Sequence, residues 1–225
     1  MRVLRGRAAT LEADHERTDE LIARAVETDE PALRVWSPHR QVAFGRRDAT
    51  ADDYDRARAA ARERGYEPVE RDVGGRAVAY TGTTLAVVYA EPDPDRTAIG
   101  ARYDAATERY RRSFDELGVD VWEGEPDRSF CPGSHSLSAD GKLAGLAQRV
   151  RRDVALTSGI VVVRDDEAIA EVLAPVYDAL DVPFDPSTVG SVAAAGGPSD
   201  PETVADAIVD AYGGSDATVE RLRET

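Results

Sequence analysis

The sequence has little cysteine, little lysine and no long apolar run, and each shortage excludes a class of protein. Its 225 residues include one cysteine, Cys131, so an internal disulfide is excluded. No stretch approaches the ~18 consecutive apolar residues of a membrane span. The N-terminal segment lacks the apolar centre of a signal peptide. We therefore expect a soluble, cytoplasmic protein that folds without disulfides and has no membrane partner.

Acidic residues outnumber basic ones, and arginine almost completely replaces lysine. The chain has 43 Asp and Glu against 28 Lys and Arg, a net charge of −15, and Lys142 is the one lysine, so 27 of the basic residues are arginines. Such a chain disfavours nucleic-acid binding, because neutralising phosphates needs a basic face. The composition predicts a halophilic protein, since high salt screens charge repulsion. A lone lysine in this background is a candidate functional residue.

The length predicts a single domain over 1–225. No internal repeat divides the chain, and no Pro, Gly or Ser-rich linker interrupts its first 180 residues. We expect a core over about 12–180 and a helical C-terminal extension over 198–225. The chain's histidines are scattered, without a cluster of cysteine or carboxylate residues, so no metal site is expected at His15, His39 or His135.

The spacing of apolar residues predicts helices and short strands that do not strictly alternate. Helices are expected over 11–28, 50–64, 98–117, 166–174 and 201–212, the second capped by Thr50 and closed by Gly65. Strands are expected over 33–36, 41–44, 68–71, 77–80, 84–90, 119–122, 143–150 and 160–163. This order favours an α+β fold, a mixed β-sheet flanked by helices.

A pair of glycines flanked by arginines is the first candidate binding segment. Gly74 and Gly75 follow a predicted strand and stand between Arg71 and Arg76. Glycine lets a phosphate, a carboxylate or an acyl chain approach the backbone closely. A plain hairpin turn explains the same residues equally well. The segment has neither the Gly-Lys-Ser/Thr of a phosphate-binding loop nor the Gly-x-Gly-x-x-Gly of a dinucleotide site.

Cys131 and Lys142 form the second candidate site. Cys131 precedes Pro132 and Gly133, and such a tight turn tends to present a side chain, although a lone cysteine is also a common small core residue. Lys142 follows an Asp-Gly turn, where a solvated surface lysine is the plain alternative. A cation near a thiol favours the thiolate, and an ammonium group can polarise an acyl carbonyl. His135 is a further possible partner of the thiol.

Four segments in chain order resemble the superfamily of biotin/lipoate protein ligases and lipoyl/octanoyl transferases. They are Arg-Val-Trp (34–36), Phe-Gly-Arg (44–46), Val-Gly-Gly-Arg-Ala-Val (73–78) and Asp-Gly-Lys-Leu-Ala-Gly-Leu-Ala-Gln-Arg (140–149). The resemblance implies the catalytic-domain fold of these proteins, a mixed sheet flanked by helices. It also implies substrate-binding roles for Arg71, Gly74, Gly75, Arg76, Ala77, Val78, Tyr80, Gly145 and Gln148.

The run from 130 to 138, Phe-Cys-Pro-Gly-Ser-His-Ser-Leu-Ser, is similar to the Cys-Pro-Gly element of the amidotransferase branch. Those enzymes move an octanoyl or lipoyl group from the glycine cleavage H protein to other lipoyl domains through a cysteine thioester. The likeness implies Cys131 as nucleophile and Lys142 as the residue that binds the acyl carbonyl. It implies lipoyl domains of 2-oxoacid dehydrogenases and the H protein as partners, and no cofactor.

Two alternatives remain from the sequence. An ATP-dependent lipoate ligase would use ATP and Mg, but Tyr80 stands where that branch has histidine, and Glu70 and Asp72 would repel a triphosphate. A non-catalytic acyl-binding protein is the second alternative. Octanoyltransferases that use acyl carrier protein place their nucleophilic cysteine within the segment matching 152–159, and this chain has none there.

Overall fold

Two β-sheets and six helices form the fold of the computed structural model, which describes residues 1–71, 74–92, 98–213 and 217–222. The strands are β1 (Arg2–Arg5), β2 (Ala32–Trp36), β3 (Gln41–Phe44), β4 (Glu67–Glu70), β5 (Val78–Tyr80), β6 (Leu85–Glu91), β7 (Trp122–Glu123), β8 (Ser136–Ser138), β9 (Lys142–Val150), β10 (Ala155–Val161) and β11 (Thr218–Arg221). The helices are α1 (Leu11–Thr28), α2 (Arg46–Ala49), α3 (Tyr54–Glu63), α4 (Ile99–Glu116), α5 (Asp166–Ala179) and α6 (Pro201–Gly213).

The two sheets are both mixed. The larger has the order β11-β1-β2-β6-β10-β9-β8-β7, and the smaller has β4-β3-β5. In the larger sheet β1 runs parallel to β2 and to β11, and the remaining neighbours are antiparallel. In the smaller sheet β3 is parallel to β4 and antiparallel to β5. The predicted α+β fold, a mixed sheet flanked by helices, is confirmed.

Strand β10 contributes to two apolar cores because successive side chains of a strand point to opposite faces. Val161 packs into the core that contains Tyr110 of α4 and Ile208 of α6. Ile160 instead packs into the core formed with α3, α5 and the smaller sheet. The C-terminal region adds α6, which packs on α4, and β11, which pairs with β1. Strands β9 and β10 therefore lie where the two cores meet.

Several predicted elements differ from the structure. The helix expected over 50–64 begins later, at Tyr54 of α3, because Thr50 is the residue that ends the preceding helix α2 and Asp53 precedes α3. The helix expected over 166–174 continues through Pro175 to Ala179. The strand expected over 119–122 is displaced to Trp122–Glu123 of β7, because the Val119 N–H bonds to the Phe114 carbonyl and closes α4. Strands β1 and β11 were not predicted.

The helices predicted over 11–28 and 98–117 are confirmed as α1 and α4. Strands predicted over 33–36 and 41–44 are confirmed as β2 and β3, which the structure places in different sheets. Within the described ranges, no helix combines the length and apolar character needed to cross a membrane.

Candidate active site

A cavity of about 390 Å³ lies between the glycine pair, the Cys131 turn and strands β9 and β10. This volume falls within the ~300–1,000 Å³ of typical small-molecule pockets. The structure brings most of the residues predicted for the site to its wall: Arg71, Gly74, Gly75, Val78, Tyr80, Cys131, Lys142, Gly145 and Gln148. Arg76 and Ala77 are not among the residues that line it.

Cys131 sits at the cavity in a backbone conformation that is rare for a residue with a side chain. Its φ is +42°, and its side chain is partly exposed. The Cys131 N–H donates to the Tyr177 hydroxyl at 2.5 Å, and that hydroxyl donates to the Ala77 carbonyl at 2.9 Å. Left-handed backbone persists in such residues when surrounding contacts hold it. The turn therefore depends on its bonding partners and presents the thiol to the cavity.

The cation that faces the thiol is Arg71. Its Nη2 donates to Cys131 Sγ at 3.4 Å and to the Arg76 carbonyl at 2.7 Å. Burial acts to lower the pKa of Arg71, but its electrostatic interactions with the Cys131 and Tyr80 side chains outweigh this, so the pKa lies above its ordinary value. The guanidinium is thus charged where a thiolate would need a counter-charge.

Lys142 is buried beneath the Cys131 turn. Its side chain is 1% exposed, which is incompatible with a solvated turn lysine. Nζ donates to the Phe130 and Cys131 carbonyls, each at 2.8 Å, and to Glu125 Oε2 at 2.7 Å. An ammonium group has three donors. All three donors are engaged. Two of them bond to the backbone carbonyls of Phe130 and Cys131, which stand on either side of the Cys131 Cα.

Gly75 touches the thiol. A Cβ added to Gly75 would lie 2.7 Å from Cys131 Sγ, and the residue has φ +96°. A Cβ at Gly74 would meet nothing within 4 Å. The hairpin-turn interpretation is wrong, because β4 and β5, which flank the glycine pair, both bond to β3 and not to each other. Asp72 and Val73 of the same segment lie outside the described residues.

A model of the lipoyl protein ligase A/B catalytic domain matches residues 13–213. The chain belongs to this family. Among its relatives, an octanoyl-GcvH:protein N-octanoyltransferase of Exiguobacterium sp. is 32% identical over 163 residues, 72% of this chain and 58% of the relative. A lipoyl-GcvH:protein N-lipoyltransferase of Listeria monocytogenes is 28% identical over 165 residues, 71% of this chain and 59% of the relative. The chain thus matches less than two thirds of the length of these relatives.

Solved structures of the family share the fold. A lipoate-protein ligase A with bound ATP superposes with a TM-score of 0.76 at 19% identity, covering 99% of this chain and 89% of the ligase. The bi-partite lipoate protein ligase of Thermoplasma acidophilum, described with its E2 lipoyl domain, gives 0.69 at 17% identity, with coverage of 99% and 88%. The family resemblance seen in the sequence is therefore confirmed.

The remaining predicted residues of this family member have structural contacts of their own. Arg76 forms an ion pair with buried Asp48 at 3.0 Å. Burial raises the pKa of Tyr80, so its phenol is neutral. A Cβ on Gly145 would lie 3.3 Å from Lys142 Cε. Gln148 accepts from Arg102 Nε at 2.9 Å and donates to the Ile99 carbonyl at 3.2 Å.

A second cavity, of about 330 Å³, adjoins the first and shares Arg71, Tyr80, Ser158 and Gly159 with it. Its apolar wall includes Trp36, Pro38, Ala43, Val69, Ala86, Val87 and Val88. The Arg34 guanidinium lies 4.1 Å from the centre of the Trp36 ring and fixes this wall. Among the described residues, Trp36 Nε1, Gln41 Oε1 and Arg71 Nε are buried polar atoms at this cavity without hydrogen-bond partners.

Three residues not predicted from the sequence bond to the Cys131 turn or to Lys142: Glu125, Ser136 and Tyr177. A glutamate among 43 acidic residues carries no distinguishing signal.

His135 does not pair with the thiol as the sequence allowed. Its ring stacks on Tyr103, with 3.6 Å between the ring centres. Among the described residues, no group of His, Cys, Asp or Glu side chains is arranged to hold a metal ion.

Proposed function

We propose that this chain is an acyltransferase that moves octanoyl or lipoyl groups to the lysine of lipoyl domains through a thioester on Cys131. The observation that carries the proposal is the placement of the chain's lone thiol at a cavity, 3.4 Å from the Arg71 guanidinium and in contact with Gly75. The relatives from Exiguobacterium and Listeria are named as octanoyl and lipoyl transferases of this kind.

In this reaction the Cys131 thiolate attacks the carbonyl carbon of an acyl-lysine amide on the donor protein. The C–S bond forms, the C–N bond breaks, and the donor lysine leaves as an amine after taking up a proton. The neutral amine of the acceptor lysine then attacks the thioester and gives up one proton, which balances the proton taken up by the donor amine. A new C–N bond forms, the thiolate departs, and the number of amide bonds is unchanged.

Arg71 and Lys142 have different roles in this proposal. Arg71 favours the thiolate, because it donates directly to Sγ. Lys142 is the cation proposed to bind the acyl carbonyl. Because its three donors are engaged in the free protein, the acyl carbonyl must replace one of the two backbone carbonyls at Nζ. Charge developing on that oxygen in the transition state would then strengthen the new bond.

The acyl chain is proposed to extend from the first cavity into the second. The two share wall residues, and the second has an apolar wall suited to a saturated chain. Arg71, Gly74, Gly75, Val78, Tyr80, Gly145 and Gln148 would line the path, while Arg76 and Ala77 are not among the residues that line the cavity. Proposed protein partners are the lipoyl domains of 2-oxoacid dehydrogenases and the glycine cleavage H protein. The H protein is the proposed acyl donor.

Transfer of this kind needs no cofactor, whereas the alternative, lipoate ligation through lipoyl-AMP, would need ATP and Mg. Arg71 and Arg76, the arginines that flank the glycine pair, are not placed to bind a triphosphate. Arg76 is committed to Asp48, and Arg71 to the thiol and to the Arg76 carbonyl. Glu70 adds a negative charge nearby, at the end of β4. These contacts support the transferase over the ligase.

Intact mass after incubation with an octanoylated H protein tests the proposal. We expect one octanoyl adduct per chain, removed by hydroxylamine, formed without ATP, and passed on to an unmodified lipoyl domain. Absence of the adduct together with ATP-dependent release of pyrophosphate would establish the ligase. Octanoate binding with neither reaction would establish a non-catalytic acyl-binding protein.

We further propose that the protein acts in the cytoplasm and at high salt. The support is the net charge of −15 with arginine in place of lysine. In molar KCl the surface repulsion is screened to about 3 Å. Transfer rate and unfolding temperature should both rise between 0.1 M and 2 M KCl. A decline of both over this range would contradict the halophilic assignment.

A further inference from the structure

A partly buried carboxylate, that of Glu125, bonds to the Cys131 turn and to Lys142. Glu125 follows β7, and its side chain is 18% exposed. Oε1 accepts from the Gly133 N–H at 2.9 Å. Oε2 accepts from the Ser136 hydroxyl at 2.8 Å and from Lys142 Nζ at 2.7 Å. One carboxylate therefore connects the end of the turn to the cation under it.

The same carboxylate supplies the counter-charge of Lys142. The other two acceptors of Nζ are neutral carbonyls, those of Phe130 and Cys131. A buried charge left without its partner is strongly unfavourable. Without Glu125, the ammonium group would lose its charged partner, and we expect it to leave its pocket. That movement would release the two carbonyls that it holds.

Four side chains thus bond to the backbone of residues 130–133. Lys142 binds the first two carbonyls, Tyr177 binds the Cys131 N–H, Glu125 binds the Gly133 N–H, and the Ser136 hydroxyl donates to the Gly133 carbonyl at 3.4 Å. Pro132 has no N–H to bond. This arrangement keeps Cys131 at φ +42° and directs its Sγ to Arg71 and Gly75. Glu125 binds both the turn and Lys142, so its loss would affect two of these anchors at once.

We propose that Glu125 is a positioning residue of the active site: it holds Lys142 in place, and through it orients the Cys131 thiol toward Arg71. The carboxylate itself makes no hydrogen bond to the thiol and bonds instead to Gly133, Ser136 and Lys142, which line the cavity. This inference rests on the proposed function, because it gives Glu125 its role in the thioester reaction. The orientation of Sγ that it predicts can be tested without any acyl transfer.

The test is the rate at which iodoacetamide alkylates Cys131, followed by intact mass. The chain has one cysteine, so the rate reports on this thiol alone. The variants are Glu125→Gln, which removes the charge at constant shape, and Glu125→Asp, which keeps the charge on a shorter side chain. Glu123→Gln serves as the matched control, since Glu123 is an exposed glutamate two residues away on β7.

In the folded Glu125→Gln protein we expect alkylation at neutral pH to be slower by about fivefold or more, because Sγ leaves the cation that favours its thiolate form. Glu125→Asp should recover part of the rate, and Glu123→Gln should stay within about twofold of wild type. If Glu125→Gln does not fold, Glu125→Asp is compared with wild type, and a rate at least about twofold lower is expected. An unchanged or faster rate in the folded variant overturns the inference.

Octanoyl transfer measured on the same variants separates this inference from the proposed function. We expect Glu125→Gln to lower kcat by about tenfold while the KM for the octanoylated donor changes by less than about threefold. A purely structural loss of folded protein would lower kcat without slowing alkylation of the folded fraction, and would overturn the positioning role. If wild type forms no thioester while alkylation still depends on Glu125, the proposed function fails and the orientation of Sγ by Glu125 stands.

Discussion

The Cys131 turn and the glycine pair face each other across the cavity, and they are held in opposite ways. The turn is held by hydrogen bonds from buried side chains, with Lys142 and Tyr177 bonded to its backbone. The glycine pair depends on the absence of side chains: Gly75 lies against Sγ, and a Cβ on Gly45 would come within 2.0 Å of the Gly75 carbonyl oxygen. Hydrogen bonds thus hold the Cys131 turn in place, whereas the glycine pair needs the room that the absence of side chains leaves.

This difference determines how each wall should respond to substitution. Removing a bonding partner from the turn should misplace the thiol and slow chemistry, because the turn has an uncommon backbone conformation. Adding a side chain to the glycine pair should fill room that the acyl group needs and weaken binding. Losses in kcat are therefore expected on one side of the cavity and rises in KM on the other.

The largest effect is expected at the thiol itself, where the two walls meet. Cys131→Ser should reduce octanoyl transfer to background, because a hydroxyl without an adjacent general base is a poor nucleophile. The serine backbone can keep its bonds to Lys142 and Tyr177, so the thermal unfolding temperature should stay close to that of wild type. Transfer at the wild-type rate by this variant would refute the nucleophile assignment.

Lys142→Arg keeps the charge and should still lower kcat by about a hundredfold or more. A planar guanidinium is wider than an ammonium group and cannot donate to the Glu125, Phe130 and Cys131 acceptors from one atom. Single-turnover thioester formation measures this effect. Arg56→Lys, at an exposed ion pair with Asp178, is the reverse exchange and should leave the rate unchanged. Near-wild-type chemistry in Lys142→Arg would show that charge alone suffices.

A matched pair of substitutions tests the glycine side. Gly75→Ala adds a Cβ 2.7 Å from Sγ at φ +96°, whereas Gly74→Ala adds one into open space. We expect the KM for the octanoylated donor to rise about tenfold in the first variant and by less than about threefold in the second. Steady-state kinetics and thermal melts on both proteins separate binding from stability. Equal effects would mean that contact with the thiol is not what requires glycine.

Tyr177→Phe should have the smallest effect, because it removes one hydroxyl and leaves the turn's bonds to Lys142. The hydroxyl links the Cys131 N–H to the Ala77 carbonyl and so joins the two walls. We expect a loss of about 1–2 kcal/mol in the free energy of unfolding, with kcat falling only a few-fold. Tyr54→Phe, which removes a hydroxyl bonded to exposed Glu70, should cost less. Chemical denaturation curves compare the two.

Much of the fold was predictable because it follows from local patterns. Helix α1 has the amphipathic spacing of its apolar residues and begins after Thr10, whose hydroxyl accepts the Ala13 N–H. Strands β2 and β3 are apolar segments separated by a proline-containing turn. Strands β1 and β11 were missed because they are four residues each, and β1 pairs with β11 from the opposite end of the chain. Local periodicity holds no information about that pairing.

The site was predictable in its residue types and not in its contacts. Cys131 and Lys142 stood out because each is the single residue of its kind in the chain. The sequence analysis assigned the cation near the thiol to Lys142, whereas the structure places Arg71 at Sγ and Lys142 under the backbone. Spacing along a chain does not determine which of two cations faces a side chain when one comes from a distant segment.

By itself, the sequence determined the α+β class, most helix and strand positions, and the short list of residues able to carry acyl-transfer chemistry. These depend on hydrophobic spacing, turn residues and side-chain chemistry, which act over a few residues. Only the tertiary structure decided that Glu125, Lys142 and Tyr177 meet at one turn and that Gly75 touches the thiol. The contacts of the site join segments as far as 100 residues apart, as in the bond from the Tyr177 hydroxyl to the Ala77 carbonyl, and form only when β9, α5 and the smaller sheet pack together.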